Sequence, residues 1–283
     1  MIGGSLAKAI RARFPRRRLI GVEPVASRRI LARRDRIFSR ILSRPTEELS
    51  RCDIVVLCAP VREVLALLTP VSALMRDGAI LTDVCGIKQP VVQAARSRVR
   101  AGVFFVGAHP MFGGERGGYA ASHAGLWKGG TVAVTADHAD RAALASVRRL
   151  HRELGARTVT CAAAAHDSAV AAVSHLPYVV ASALALTVIG RGTLARRLAG
   201  KGLADTSRLA SFQYGIQGEA ARRNVHFAET ARAFGKNLRK LVAALASSEA
   251  TARRAFARSR AAREALPRRA ERNGRKGAAP TTR

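Results

Sequence analysis

Short apolar runs alternate with helix-compatible stretches through the first half of the chain, and this alternation constrains the fold more than any other feature. Leu19–Glu23, Asp53–Pro60, Ala79–Val84 and Val103–Ala108 read as buried strands. Between them Ser5–Phe14, Arg62–Met75 and Lys88–Val99 read as helices. Strand and helix alternating at this spacing predict an α/β fold with a doubly wound parallel sheet. A strand at Thr131–Thr135, a helix at Ala139–Leu154 and a strand at Arg157–Cys161 complete a first domain, residues 1–161. Residues 162–247 carry helix-compatible sequence only and form an all-helical second domain. From residue 248 to 283 Arg and Ala dominate, predicting a basic tail that is a fraying helix followed by disorder.

Composition agrees with this class. Hydrophobic residues make up 48% of the 283, while aromatic residues make up 5% with one Trp, so the cores must be packed by aliphatic side chains. The formal charge of +30 raises the question of a polyanion partner. The basic residues, 42 Arg and 7 Lys, are scattered over the whole chain, so nucleic acid is not an expected partner. Cys52, Cys58, Cys85 and Cys161 form no metal-ligand spacing and read as reduced thiols; no metal site is expected, and the expected location is cytoplasmic. Ser168–Gly190 contains no charged residue. His175, Pro177 and Ser182 interrupt it, so it reads as a helix buried between other helices, without a membrane partner.

Dinucleotide-binding sheets place Gly-x-Gly-x-x-Gly between their first strand and first helix. Ile2-Gly3-Gly4-Ser5-Leu6-Ala7 resembles the end of that turn, with Gly3 as the third glycine. An apolar strand ending in Gly-x-Gly is therefore expected to be encoded in frame ahead of Met1. Glu23 closes the next strand about 20 residues on, where a carboxylate accepts from ribose hydroxyls. It favours NAD over NADP, although the nearby Arg28 and Arg29 keep NADP open. Farther along, Phe105–Glu115 is read as a strand delivering His109, followed by Pro110, to the carboxyl edge of the sheet, where ligands sit. A His held there can take a proton from a substrate hydroxyl as hydride leaves the same carbon.

The sequence resembles the prephenate dehydrogenase family, which includes arogenate and cyclohexadienyl dehydrogenases of tyrosine biosynthesis. The resemblance runs from Ile2 to about Leu245. Its carriers are residues 2–7, Asp53–Val61, Thr82–Lys88, His109-Pro110-Met111 with Glu115, His166-Asp167, Ser174–Pro177 and Asp205–Arg208. It implies a Rossmann-type sheet, here with its first strand truncated, then an all-helical dimerisation domain and a homodimer. The implied reaction is NAD-dependent oxidative decarboxylation of prephenate or arogenate. His109 would be the proton acceptor, with Glu115, His175, Tyr178 and Arg208 around the substrate. Arg208 would bind its carboxylate. Gly3, Ser5, Leu6, Glu23, Ala59, Pro60 and Asp83 would meet the cofactor. Gly86 replaces a usual Ser, Tyr178 a second His, Gly114 a small hydroxyl residue and Phe212-Gln213 an Asp-Pro, which leaves an amino-substituted prephenate open as substrate. A non-catalytic remnant serving as a dimeric interaction module is the competing expectation.

Overall fold

The computed structural model describes residues 1–114 and 117–266. They divide into one compact unit from Met1 to Ala228 and a second from Glu229 onward. The first unit opens with α1 (Ile2–Arg13), β1 (Ile20–Val22), α2 (Ala26–Arg34) and β2 (Arg40–Leu42). It continues with β3 (Ile54–Leu57), α3 (Val61–Ala73), β4 (Ile80–Asp83), α4 (Gln89–Arg98) and β5 (Phe104–Val106). β3, β4 and β5 form one parallel sheet, and β1 pairs in parallel with β2 in another. The period-2 alternation of β4 explains the layering. Leu81 faces a core with Val64, Leu68, Ile87 and Val91 of the α3–α4 side. Ile80 faces the opposite core with Leu6, Val106, Trp127 and Val147.

The expected strand Val103–Ala108 is two strands. β5 ends at Val106, and β6 (Ala108–Pro110) leaves the parallel sheet to pair antiparallel with β7 (Thr131–Thr135), which pairs in parallel with β8 (Arg157–Cys161). Gly107 makes the switch. Its carbonyl accepts from Thr135 N at 2.9 Å, and a Cβ there would lie 2.7 Å from Thr135 Oγ1, so a side chain at this position would push the buried Thr135 hydroxyl aside. The doubly wound parallel pattern expected from the sequence holds for the other strand pairs, and β6 is the antiparallel exception among the described residues. α5 (Arg141–Glu153) is capped by Asp140, whose carboxylate accepts from Ala142 N and Ala143 N.

All further elements are helical, as expected: α6 (Ala163–Val170), a π-helical turn over Ala171–His175, α7 (Leu176–Ile189), α8 (Thr193–Arg197), α9 (Lys201–Ser207), α10 (Gln217–Arg223), α11 (Phe227–Leu245) and α12 (Glu249–Ala265). Two expectations change here. The continuous helical stretch Ala163–Ile189 contains an 18-residue window of mean hydropathy 1.8 and is long and apolar enough to cross a membrane, yet little of that window is buried within the chain. Val173 is 65% and Leu186 74% exposed, so burial between helices of the same chain is not what this segment achieves. The tail is a continuous helix as far as Ala265, and its expected disordered end, residues 267–283, lies outside the described residues.

Candidate active site

His109 is held from both sides of its own strand. Ala108 N donates to Asp83 Oδ1 at 3.2 Å, and Ala108 O accepts from Lys88 Nζ at 2.8 Å. Lys88 and Asp83 are themselves an ion pair with both side chains fully buried, and Asp83 Oδ2 also accepts from Cys85 N. Buried charges persist only when paired and hydrogen-bonded. The pair therefore clamps the end of β4, the start of α4 and β6 together beneath the histidine.

A chain of hydrogen bonds then fixes which His109 nitrogen is free. Asp167 Oδ1 is 2.7 Å from His166 Nδ1, and His166 Nε2 is 2.9 Å from His109 Nδ1. The carboxylate accepts a hydrogen bond from the Nδ1–H of His166, which leaves His166 Nε2 as acceptor for the Nδ1–H of His109. His109 Nε2 is then a bare lone pair. It points toward Gly86, where a Cβ would sit 3.7 Å from it. Asp167 is fixed in turn by Lys88 N at 2.7 Å and Gln89 N at 2.8 Å, the first amides of α4. Burial, then the neighbouring His166, Lys88 and His175, hold the His109 pKa well below the usual imidazole value. It is a neutral base at physiological pH.

His175 lies beneath. It is only 1% exposed, with Nδ1 3.2 Å from Asn224 Nδ2 and a hydrogen bond to the Gly86 backbone, and burial lowers its pKa to about 4. Asn224 Nδ2 also donates to Asp167 O at 2.7 Å, which ties α10 to α6. The π-helical turn ahead of Pro177 delivers His175. Proline has no N–H to continue the regular ladder, and the extra residue per turn rotates the imidazole inward.

On the other flank α1 begins one residue into the chain, earlier than the expected Ser5. Its first internal bond is Ser5 N to Met1 O, and Met1 provides no side-chain cap, so Ile2, Gly3 and Gly4 carry the orphan amides of the helix N-terminus. A Cβ on Gly3 would lie 2.8 Å from Cys58 Cβ, and one on Gly4 would lie 2.8 Å from the Tyr119 ring. The turn carries no side-chain cap, and Glu23 follows directly on β1.

The structure sorts the expected site residues. His109, His175 and Gly86 come together. Gly3 lies in the first turn of α1 against Cys58, but Ser5 is buried with Oγ accepting from His123 N, and Leu6 is a core side chain. For these two, the helix itself uses the Ser5 amide, and the free donors shift to Ile2 and Gly4. Asp83 differs most. All its bonds are internal and it is fully buried, so it orders β6 where cofactor contact was expected. Ala59 and Pro60 follow β3 and lead into α3, and the Glu23 carboxylate accepts from Val25 N. Tyr178 is half-buried on α7, one turn beyond His175. Arg208 is exposed in the 3-10 turn after α9, which packs against α7. Glu115 lies outside the described residues. Sequence reasoning assigned no role to His166, Asp167 or Lys88; the adjacent His166-Asp167 pair was the available signal.

Comparison with known proteins follows the same lines. Residues 6–160 match the family described as prephenate dehydrogenase, nucleotide-binding domain, and residues 162–256 match its dimerization domain. The prephenate dehydrogenase of Bacillus subtilis is 27% identical over 216 residues, 75% of this chain and 58% of that protein. The chain thus spans 58% of the length of that curated relative. A crystal structure of prephenate dehydrogenase from Aquifex aeolicus, in complex with hydroxyphenyl propionate and NAD+, superposes with a TM-score of 0.86 at 25% identity, covering 93% of this chain and 94% of that one. Synechocystis arogenate dehydrogenase superposes at 0.78 with 27% identity, covering 93% and 95%.

Proposed function

The chain belongs to the prephenate dehydrogenase family, and on that premise we propose that it catalyses the NAD-dependent oxidative decarboxylation of prephenate or arogenate. The observation that carries this reading is the His109 imidazole, linked through Nδ1 to His166 and on to Asp167, with Nε2 turned toward Gly86. Bound NAD would accept the hydride from the ring carbon that bears the hydroxyl. The protein's own tasks are to orient the ring and to remove one proton. His109 Nε2 takes that hydroxyl proton, and the imidazolium formed is stabilised through Nδ1 by His166 and the Asp167 carboxylate. Loss of the ring carboxylate as CO2 leaves an aromatic product, so positioning supplies most of what remains. Orphan amides of Ile2, Gly3 and Gly4 would hold the pyrophosphate and Glu23 the ribose, which favours NAD over NADP. Arg208, and Glu115 by motif, complete the substrate set.

The aligned dimerization domain and the exposed apolar residues of Val173, Leu186, Ile189, Leu194 and Leu198 support a homodimer in which a second copy covers this face. The four free cysteines suit a cytoplasmic location.

NADH formation from prephenate, arogenate and 4-amino-4-deoxyprephenate tests the activity and ranks the substrates. Absence of turnover with all three, by protein that binds NAD in calorimetry, would sink it. A second reading, a non-catalytic dimeric module, is favoured by the edges of β1 and β3, which pair with no further strand among the described residues. It requires folded protein that fails to bind NAD.

A further inference from the structure

Past β6 the chain turns back along α1, and residues 117–123 are fastened to it by side chains of both. His123 N donates to Ser5 Oγ at 3.0 Å, and Lys8 Nζ donates to Ser122 O at 3.1 Å. A Cβ on Gly4 would lie 2.8 Å from the Tyr119 ring and 2.9 Å from Ser122 Oγ, so the segment rests directly on the first turn of α1. The Tyr119 hydroxyl reaches past α1 and donates to Asp35 Oδ2 at 2.8 Å. Asp35 follows directly on α2, and Lys8 Nζ lies 2.9 Å from the same oxygen and 4.9 Å from the centre of the Tyr119 ring. Three segments thus meet on one carboxylate. Hydrogen bonds from Lys8 and then Tyr119 hold the Asp35 pKa below the usual carboxylate value, while burial and then Asp35 raise that of the Tyr119 phenol. A partly exposed ion pair alone adds little to stability, so the hydroxyl drawn onto this one calls for another role. At the other end of the segment, a Cβ on Gly117 would lie 3.6 Å from the Gln213 side chain, which follows the turn that carries Arg208.

We propose that Tyr119 is a positioning residue whose hydroxyl pins residues 117–123 to α1 and α2, so that the Gly4 turn and the Gln213 side of the substrate region keep one fixed spacing. The first turn of α1 carries the amides assigned above to the cofactor, and Gln213 stands beside the stretch assigned to the substrate. With the hydroxyl removed, the ring still fills the notch beside Gly4, but the carboxylate no longer fixes it. Each ligand must then order the segment as it binds, and that cost shows as weaker binding of both while the chemical step keeps its rate. What is bound at either end rests on the dehydrogenase reading above; the pin itself rests on the geometry alone.

The test compares the full chain with Tyr119→Phe, Asp35→Ala and the double variant. The Ser122 amide, which donates to Tyr119 O, and the His123 amide report on the segment. Their hydrogen exchange should quicken by about tenfold in Tyr119→Phe, as loss of one charge-assisted bond implies, and no further in the double variant than in Asp35→Ala alone. KM for prephenate and the NAD dissociation constant from calorimetry should each rise about three- to tenfold, with kcat held within about twofold. Asp35→Asn, which keeps an acceptor for the hydroxyl, should retain most of both affinities. Unchanged exchange in Tyr119→Phe, or additive effects in the double variant, overturns the pin. Quickened exchange with KM and NAD affinity unchanged overturns the positioning role. An unmodified chain that neither turns over prephenate or arogenate nor binds NAD sinks the reaction and the positioning role with it, while the exchange rates still decide the pin.

Discussion

At the scale of single residues the proposed reaction rests on one nitrogen, Nε2 of His109. Replacing His109 with Asn removes the base while keeping a side chain able to bond His166, and kcat should fall by about 10²- to 10⁴-fold with little change in KM. Steady-state kinetics decide this. Because the His109 pKa lies below the ordinary value, the base is already deprotonated at neutral pH. The acid limb of kcat/KM should therefore fall below pH 6.5; a limb above that value would show that His109 is not the titrating base. His151 offers an independent pH signature remote from catalysis. Buried edge to edge with Trp127 in nearly the same plane, its ring accepting from Trp127 Nε1 at 2.9 Å, it has its pKa lowered by burial to about 4. The unfolded chain binds this proton first as pH falls, so stability is complete above pH 6.5 and is lost toward pH 4. The loss is on the order of 3 kcal/mol for a shift of this size. Urea unfolding at pH 7 and pH 5 reads it, and His151→Phe should flatten the dependence while lowering stability at pH 7, since the Trp127 N–H loses its acceptor. His109 was legible because a strand-end His before Pro is a local pattern. The role of His166 was not, because it depends on a residue 57 positions away in sequence.

At the scale of elements, strands and helices with clear periodicity were readable, and the missed elements have physical reasons. β2 is three residues long with only partial burial, and α2 is Arg-rich with Ala32 as its one buried residue, so neither offers an apolar stripe to detect. The break between β5 and β6 was hidden because Val103–Ala108 is uniformly apolar; only the Thr135 partner shows why Gly107 must lack a side chain. Gly107→Ala should accordingly displace β6 and His109 with it, costing activity by more than the loss of stability explains; thermal melts and kcat measured on one preparation compare the two. Asp140→Ala tests ordinary capping. Loss of its two bonds to the α5 amides should cost about 1 kcal/mol with kcat unchanged.

At the scale of the molecule, the exposed apolar surface of α7 calls for cover. Leu186→Lys should shift the sedimentation coefficient from dimer to monomer, and a dimer that persists would place the contact elsewhere. The sequence correctly marked this segment as helical and apolar, but it could not show that the burial is not provided within the chain, because periodicity does not distinguish an intramolecular neighbour from a second copy. Asp167 ties the larger scales to the smallest. The carboxylate that orients His166 also caps α4, and its carbonyl receives Asn224. Mutational drift at this position would erode the melting temperature and the turnover number together. A lineage that abandoned the reaction yet kept a sound protein would have to be silenced at His109, leaving Asp167 in place as the historical trace of the lost chemistry.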